Sequence, residues 1–121
     1  MKLTNNQIYE YATGLASSFQ DNTQRLPVKV NFYLQKNKST LISLAQAIEE
    51  ARMEIIQAYG VLLENGTYNI PAEKVEVAQK ELAELLSLEQ EVMIYKVNID
   101  SFPEDISFTT GQMEALMFMI E

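Results

Sequence analysis

The chain has 121 residues, 47% hydrophobic and 21% charged, so it is long enough for a single self-supporting domain over 1–121 and too apolar for a disordered tail. It contains no Cys and no His, which removes disulfides, thiolate metal sites and cysteine nucleophiles together with the commonest general base and metal ligand. Its net charge of -8 repels nucleic acid and anionic membranes and favours solubility.

Thr4-Asn5-Asn6-Gln7 has capping-box spacing, and Ile8, Tyr11, Ala12, Leu15 and Phe19 follow at helical intervals, which predicts a helix over 5–20. Gly14 weakens that helix and would admit a close neighbour. A polar connection over 21–26 leads to Pro27, placed here as the first residue of the next helix. The stretch that follows carries two patterns. Val28, Val30, Phe32 and Leu34 alternate with polar residues as in a strand, while Leu34, Leu41, Ile48, Ile55 and Leu62 recur every seven residues. Leu44, Ala51 and Ala58 fill the positions three further on. No Gly or Pro interrupts 28–59, so one helix over 28–60 is expected, roughly 50 Å long and stopped by Gly60. Its expected buried face is Leu41, Leu44, Ile48, Ala51 and Ile55.

Glu64-Asn65-Gly66-Thr67 reads as a turn, with Asn65-Gly66 a favoured hairpin pair, before a short strand over 67–70. Pro71 opens a third helix with Val75, Ala78, Leu82, Leu85 and Leu86 inward and Glu73, Glu76, Lys80 and Glu84 outward. After Gln90 the period becomes two. Met93, Tyr95, Val97 and Ile99 point one way and Val92, Ile94, Lys96 and Asn98 the other, which predicts a strand with one buried and one half-exposed face. A turn over 100–105 contains Pro103, Thr109 and Gln112 repeat the capping box, and a short apolar helix covers 113–120. The fold class is mainly α: one long helix, two or three shorter helices and a small β element.

Paired carboxylates such as Glu50 and Glu54, or Glu81 and Glu84, read as the wet faces of helices. Asp100, Glu104 and Asp105 lack the glycine bend and alternating oxygens of a calcium loop, and the scattered glycines form no phosphate-binding loop. Neither Tyr9, Glu10 and Tyr11 nor Tyr95 and Lys96 supplies a nucleophile, a base and an oxyanion donor together. No catalytic residue, metal or cofactor is therefore expected.

The charge is unevenly placed. Most acids lie in 61–121, where the bases are Lys74, Lys80 and Lys96, whereas 22–48 holds no acid beside Arg25, Lys29, Lys36 and Lys38. Lys29 and Lys36 share one helix face, with Tyr33 four residues from Lys29. These three are the candidate ligand-binding residues, suited to a phosphate, a nucleotide or a short piece of nucleic acid. The same basic face would equally pack against the acidic half of this chain or of another subunit. The last helix is apolar nearly all round, which fits either core or an oligomer interface.

In residues 26–37 (around Lys29-Val30-Asn31-Phe32-Tyr33), 48–60, 88–97 and 113–120, taken in order, the chain resembles a group of small proteins encoded by tailed phages and prophages of Gram-positive bacteria, filed as a domain of unknown function. The resemblance brings no functional residue with it. It implies a viral context, in the cytoplasm of a bacterial host or in the virion. The expected function is a non-enzymatic phage or prophage interaction protein, a virion-morphogenesis or tail-associated accessory factor. The alternative is an anti-defence inhibitor that binds a host defence protein or sequesters a nucleotide signal. The expected partners are a phage structural or host defence protein and further copies of the chain, with a nucleotide as the small ligand. No membrane partner is expected: the polar N-terminus has no signal-peptide core, and the apolar run 115–120 is far short of the ~20 residues that span a bilayer.

Overall fold

The computed structural model of the protein describes residues 1–19, 26–103 and 107–121. The connection expected over 21–26, with Arg25, lies largely outside these residues, as do Glu104 and Asp105. In chain order the elements are β1 (Lys2–Thr4), α1 (Asn5–Ser18), α2 (Val28–Tyr59), β2 (Val61–Leu62), β3 (Tyr68–Asn69), α3 (Ala72–Ser87), β4 (Glu89–Glu91) and α4 (Thr110–Leu116). Short 3₁₀ turns cover Ile99–Ser101 and Met117–Met119. The architecture is mainly helical, with the 32-residue α2 as its spine and two small two-stranded sheets.

Both capping boxes form. The Thr4 hydroxyl accepts from the Gln7 backbone N–H at 3.1 Å, and the Gln7 amide oxygen accepts from the Thr4 N–H at 2.9 Å. Thr109 and Gln112 repeat this at the start of α4, at 3.1 and 3.0 Å. Each box satisfies N–H groups that a helix start otherwise leaves without acceptors. At Gly14 an added Cβ would stand 3.6 Å from the Cβ of Ala115, so α4 packs close against α1 there.

Pro27 proves to be the cap of α2, not its first helical residue. Its backbone is extended, and its carbonyl accepts the first helical bond from the Asn31 N–H at 2.9 Å. The strand pattern over 28–34 does not decide the outcome. Val30, Leu34, Asn37, Leu41 and Ile48 are buried at helical intervals, while Val28 and Phe32, which alternation would bury with Val30, are exposed. Only part of the expected buried face is fully buried: Leu41 and Ile48 are, whereas Leu44, Ala51 and Ile55 are half-exposed. Leu62, the last heptad position, lies outside the helix and is exposed in β2. The reason is coverage, because α2 outruns the elements packed against its middle.

Gly60 stops α2 by turning extended, not by entering the left-handed region. Glycine is needed there for approach: an added Cβ would sit 2.6 Å from the Ile56 carbonyl oxygen and 3.2 Å from the Tyr68 Cβ. The chain then makes the β2–β3 hairpin, pairing Leu62 with Tyr68 and Val61 with Asn69. Gly66 supplies the left-handed residue of the turn at φ 85°, and the Asn65 side chain accepts from the Thr67 N–H at 3.1 Å. Pro71 caps α3, which runs back along α2, buries Ala78 and keeps Glu73, Glu76, Lys80 and Glu84 exposed as expected.

The strand expected after Gln90 is corrected. Only Glu89–Glu91 forms a strand, antiparallel to β1 with Leu3 opposite Gln90. Beyond it Val92 and Val97 are buried, an odd number of residues apart, while Met93 and Ile99 are exposed, so no single face alternates. A side chain replaces the missing strand neighbour. Asn37, fully buried on α2, accepts from the Tyr95 N–H at 2.8 Å and donates to the Tyr95 carbonyl at 2.9 Å. Val97 then pairs with the C-terminal segment, its N–H bonding to the Met119 carbonyl at 2.8 Å and its carbonyl accepting from the Glu121 N–H at 2.8 Å. A second buried amide, Asn5, joins three elements. It donates to the Leu85 carbonyl at 2.8 Å and accepts from the Gln90 side chain at 2.7 Å.

The core lies where α1, the first two thirds of α2 and the C-terminal segment meet. Ile8, Leu15, Leu34, Leu41, Leu116 and Met119 are its largest fully buried side chains. Tyr11 and Phe118 stack with ring centroids 4.6 Å apart. Leu116, Phe118 and Met119 thus belong to the core, and of the last helix only Met113 and Met117 remain as exposed apolar residues.

Candidate interaction surface

The sequence-derived candidates Lys29, Tyr33 and Lys36 lie on the first turns of α2, where helical spacing brings residues four apart into contact. The Lys29 ammonium stands over the Tyr33 ring at 5.6 Å from its centroid, and the Lys36 ammonium over the Phe32 ring at 6.0 Å. Such contacts contribute roughly 0.5–1 kcal/mol each at an exposed site. Tyr33 is half-buried and packs on Tyr95 with centroids 5.1 Å apart. The open ring of this surface is Phe32, which is 55% exposed. Phe32 is not among the sequence-derived candidates, which rest on the spacing of Lys29, Tyr33 and Lys36.

What holds this surface in place is beneath it. Asn37 fixes the Tyr95 backbone, and the Tyr95 ring supports Tyr33 from behind. Val30 and Leu34 anchor the same turns in the core. The ion pairs among the described residues are the N-terminal amine with Glu91, Lys2 with Glu89 and Arg52 with Glu49. Lys29, Lys36 and Lys38 take part in none of them, so among the described residues no carboxylate pairs with this face.

Two carboxylate sites lie elsewhere. Glu49 receives Arg52 on both oxygens, at 2.6 and 2.9 Å, and a hydrogen bond from the Tyr9 hydroxyl at 3.2 Å. The Arg52 hydrogen bonds, aided by its charge and by Tyr9, hold the Glu49 carboxyl below its ordinary value. A carboxylate held this way is a poor base. Interaction with the Glu81 carboxylate raises the Tyr59 hydroxyl above its ordinary value, and the Oε2 atom of Glu81 is buried with no donor among the described residues. Glu50, Glu54 and Glu84 are exposed.

An apolar pocket of about 110 Å³ opens between the Ile99–Ser101 turn and α4, lined by Ile99, Phe102, Pro103, Phe108, Met113, Leu116 and Ile120. These side chains offer no acid, base or metal donor. Among the described residues no three carboxylates gather into a metal-binding group, and no helix is long and apolar enough to cross a membrane.

No protein-family model, no curated protein and no solved structure matches the chain.

Proposed function

We propose that the protein is a non-enzymatic interaction protein of a tailed phage or prophage, an accessory factor in virion morphogenesis or tail assembly. It docks on other proteins through the first turns of α2. One observation carries this reading: Lys29 and Lys36 flank an exposed Val28 and Phe32 on a helix anchored in the core, and neither charge is matched by an ion pair among the described residues. Exposed apolar side chains among unpaired charges suit a protein surface of opposite sign. The most organised acid–base cluster, Tyr9–Glu49–Arg52, commits its carboxylate to a bidentate ion pair, which favours binding over catalysis. The viral setting comes from the resemblance of residues 26–37, 48–60, 88–97 and 113–120 alone.

The alternative, an inhibitor that captures a nucleotide, draws on the same lysines. It is less favoured because Tyr33, the ring meant to stack on a base, is half-buried, lies against Tyr95 and has Lys29 over it.

Mass spectrometry of purified virions, together with assembly yield in a phage carrying K29E/K36E, tests the proposal. The chain should copurify with virions or their assembly intermediates, and the double reversal should lower yield while leaving the fold intact. Unchanged yield, or turnover of a nucleotide, peptide or sugar by the pure protein that is lost on changing one carboxylate, would overturn it. A calorimetric titration with nucleoside phosphates that gives binding abolished by K29E/K36E would replace it with the nucleotide reading.

A further inference from the structure

The two ends of α2 differ in charge and match in exposed apolar surface. At the start of the helix, Val28, Phe32 and Lys36 stand in one row, with Val28 79% and Phe32 55% exposed and Lys29 beside them. Residues 28–48 contain lysines and no acid. At the other end, about 48 Å away along 32 helical residues, Gly60 leads directly into the hairpin. There Val61, Leu62 and Leu63 are 55%, 60% and 43% exposed, an uninterrupted apolar run on the surface of a small hairpin. The first turns of α3 start from this same end and add the exposed Val77 among Glu73 and Glu76. Glu54, Glu64, Glu73 and Glu76 outnumber the one base of this region, Lys74. The ion pairs of the described residues draw on none of these five charges.

We propose that the protein associates with itself head to tail, the Val28/Lys29/Phe32/Lys36 surface of one copy docking on the Leu62/Glu64/Glu73/Val77 end of the next. Each surface combines exposed apolar side chains with charge, and the signs are opposite. Complementary charge fixes the orientation and discourages like ends from meeting. The contact joins two different patches, so it is heterologous, and repetition gives a ring if the rotation closes and a filament if it does not. Opposite ends of one rigid helix keep both patches free on the same copy, which an isologous dimer through either patch would not use. This inference does not depend on the phage setting; it seats a second copy on the surface that the proposed function gives to another protein, and E64K/E73K/E76K, which leaves that surface unaltered, separates the two by removing self-association alone.

Mass photometry and light scattering over a range of protein and salt concentrations test it, with two variants, K29E/K36E and E64K/E73K/E76K. All substituted residues are exposed, so each variant should keep the helical circular dichroism of the wild type, which is checked first. The wild type should form species larger than a dimer at low ionic strength and dissociate in high salt. Each variant alone should stay at 13.8 kDa, because one of its ends is dead. An equimolar mixture should assemble again into species larger than a dimer, because the unaltered ends of the two variants are complementary and their reversed ends are complementary to each other. A wild type that remains a monomer at high concentration, or stops at a dimer, would overturn the proposal, as would a variant that still assembles like the wild type. A photo-cross-linker in place of Phe32 gives a second measurement without altered charges. It should couple to residues 61–77 of another copy, and coupling between two positions 32 would contradict the arrangement.

Discussion

The two halves of α2 are built from similar residues and have different surroundings. Over Val30 to Ile48 the helix is pressed between α1 and the C-terminal segment, and Val30, Leu34, Asn37 and Leu41 are fully buried. Beyond Ile48 the cover is α3, which buries Ala78 alone and leaves Ile55 half-exposed and Ala58 exposed. A helix needs neighbours on its apolar stripe to gain stability, and propensity alone supports a long helix weakly. The first half of α2 is therefore core, and the second half is an arm. The candidate surface at Lys29, Phe32 and Lys36 sits on the embedded half, so a partner meets a preformed surface and little ordering cost opposes binding.

Truncation should separate the halves most strongly. Leu41→Ala should cost about 2–5 kcal/mol in urea melts, and Ile48→Ala should fall toward the lower end of that range, since both side chains are buried. Ile55→Ala, at a half-exposed site, should cost only about 1 kcal/mol. Equal losses at Leu41 and Ile55 would erase the distinction between core and arm.

Asn37→Leu comes next. It keeps the volume but strands the Tyr95 N–H and carbonyl in the interior, at roughly 2–4 kcal/mol for two unpaired groups. It should also loosen Tyr33, which rests on Tyr95, and so weaken any binding through the Lys29–Phe32–Lys36 surface. A loss under 0.5 kcal/mol would show that the side-chain bridge is not what holds the segment after β4.

The caps should give smaller and similar effects. Thr4→Ala and Thr109→Ala each remove one capping acceptor and should cost about 1 kcal/mol in the same melts.

Glu49 gives the smallest effect and the clearest sign. Its pKa is depressed on folding from an ordinary 4.5, chiefly by the Arg52 hydrogen bonds. The stability it contributes is present above about pH 4.5 and is lost as pH falls through the lower folded value. The pair is more than a third exposed and screened by solvent, so the loss is small. Glu49→Gln should flatten that acid limb of a stability-against-pH curve, and a variant curve as steep as the wild type would assign the acid limb to other carboxylates.

Most helices were legible because their signals are local. Thr4 and Gln7 announce one start, Thr109 and Gln112 another, and the seven-residue recurrence from Leu34 to Ile48 marks the face that is buried. The segment after Gln90 was not legible, because its partner is the Asn37 side chain, and asparagine is ordinarily a surface residue. Asn5 escaped for the same reason, since it holds Leu85 and Gln90 from far along the chain. The basic face could be read from the spacing of Lys29 and Lys36, whereas the exposure of Phe32 depends on which side of α2 the remote C-terminal segment covers. The contrast between the ends of α2 needed the fold as well, because only the return of α3 brings Glu73 and Glu76 beside the hairpin.

Native-state amide hydrogen exchange, read residue by residue along α2, tests the contrast between core and arm most directly. Local opening free energies reach the global value only where an element is embedded. Amides over 34–48 should exchange only through global unfolding, while those over 53–59 and 61–69 should exchange through smaller, local openings. Uniform protection from 34 to 59, or exchange at 34–41 as fast as at 53–59, would contradict the division of this helix into a core half and an arm.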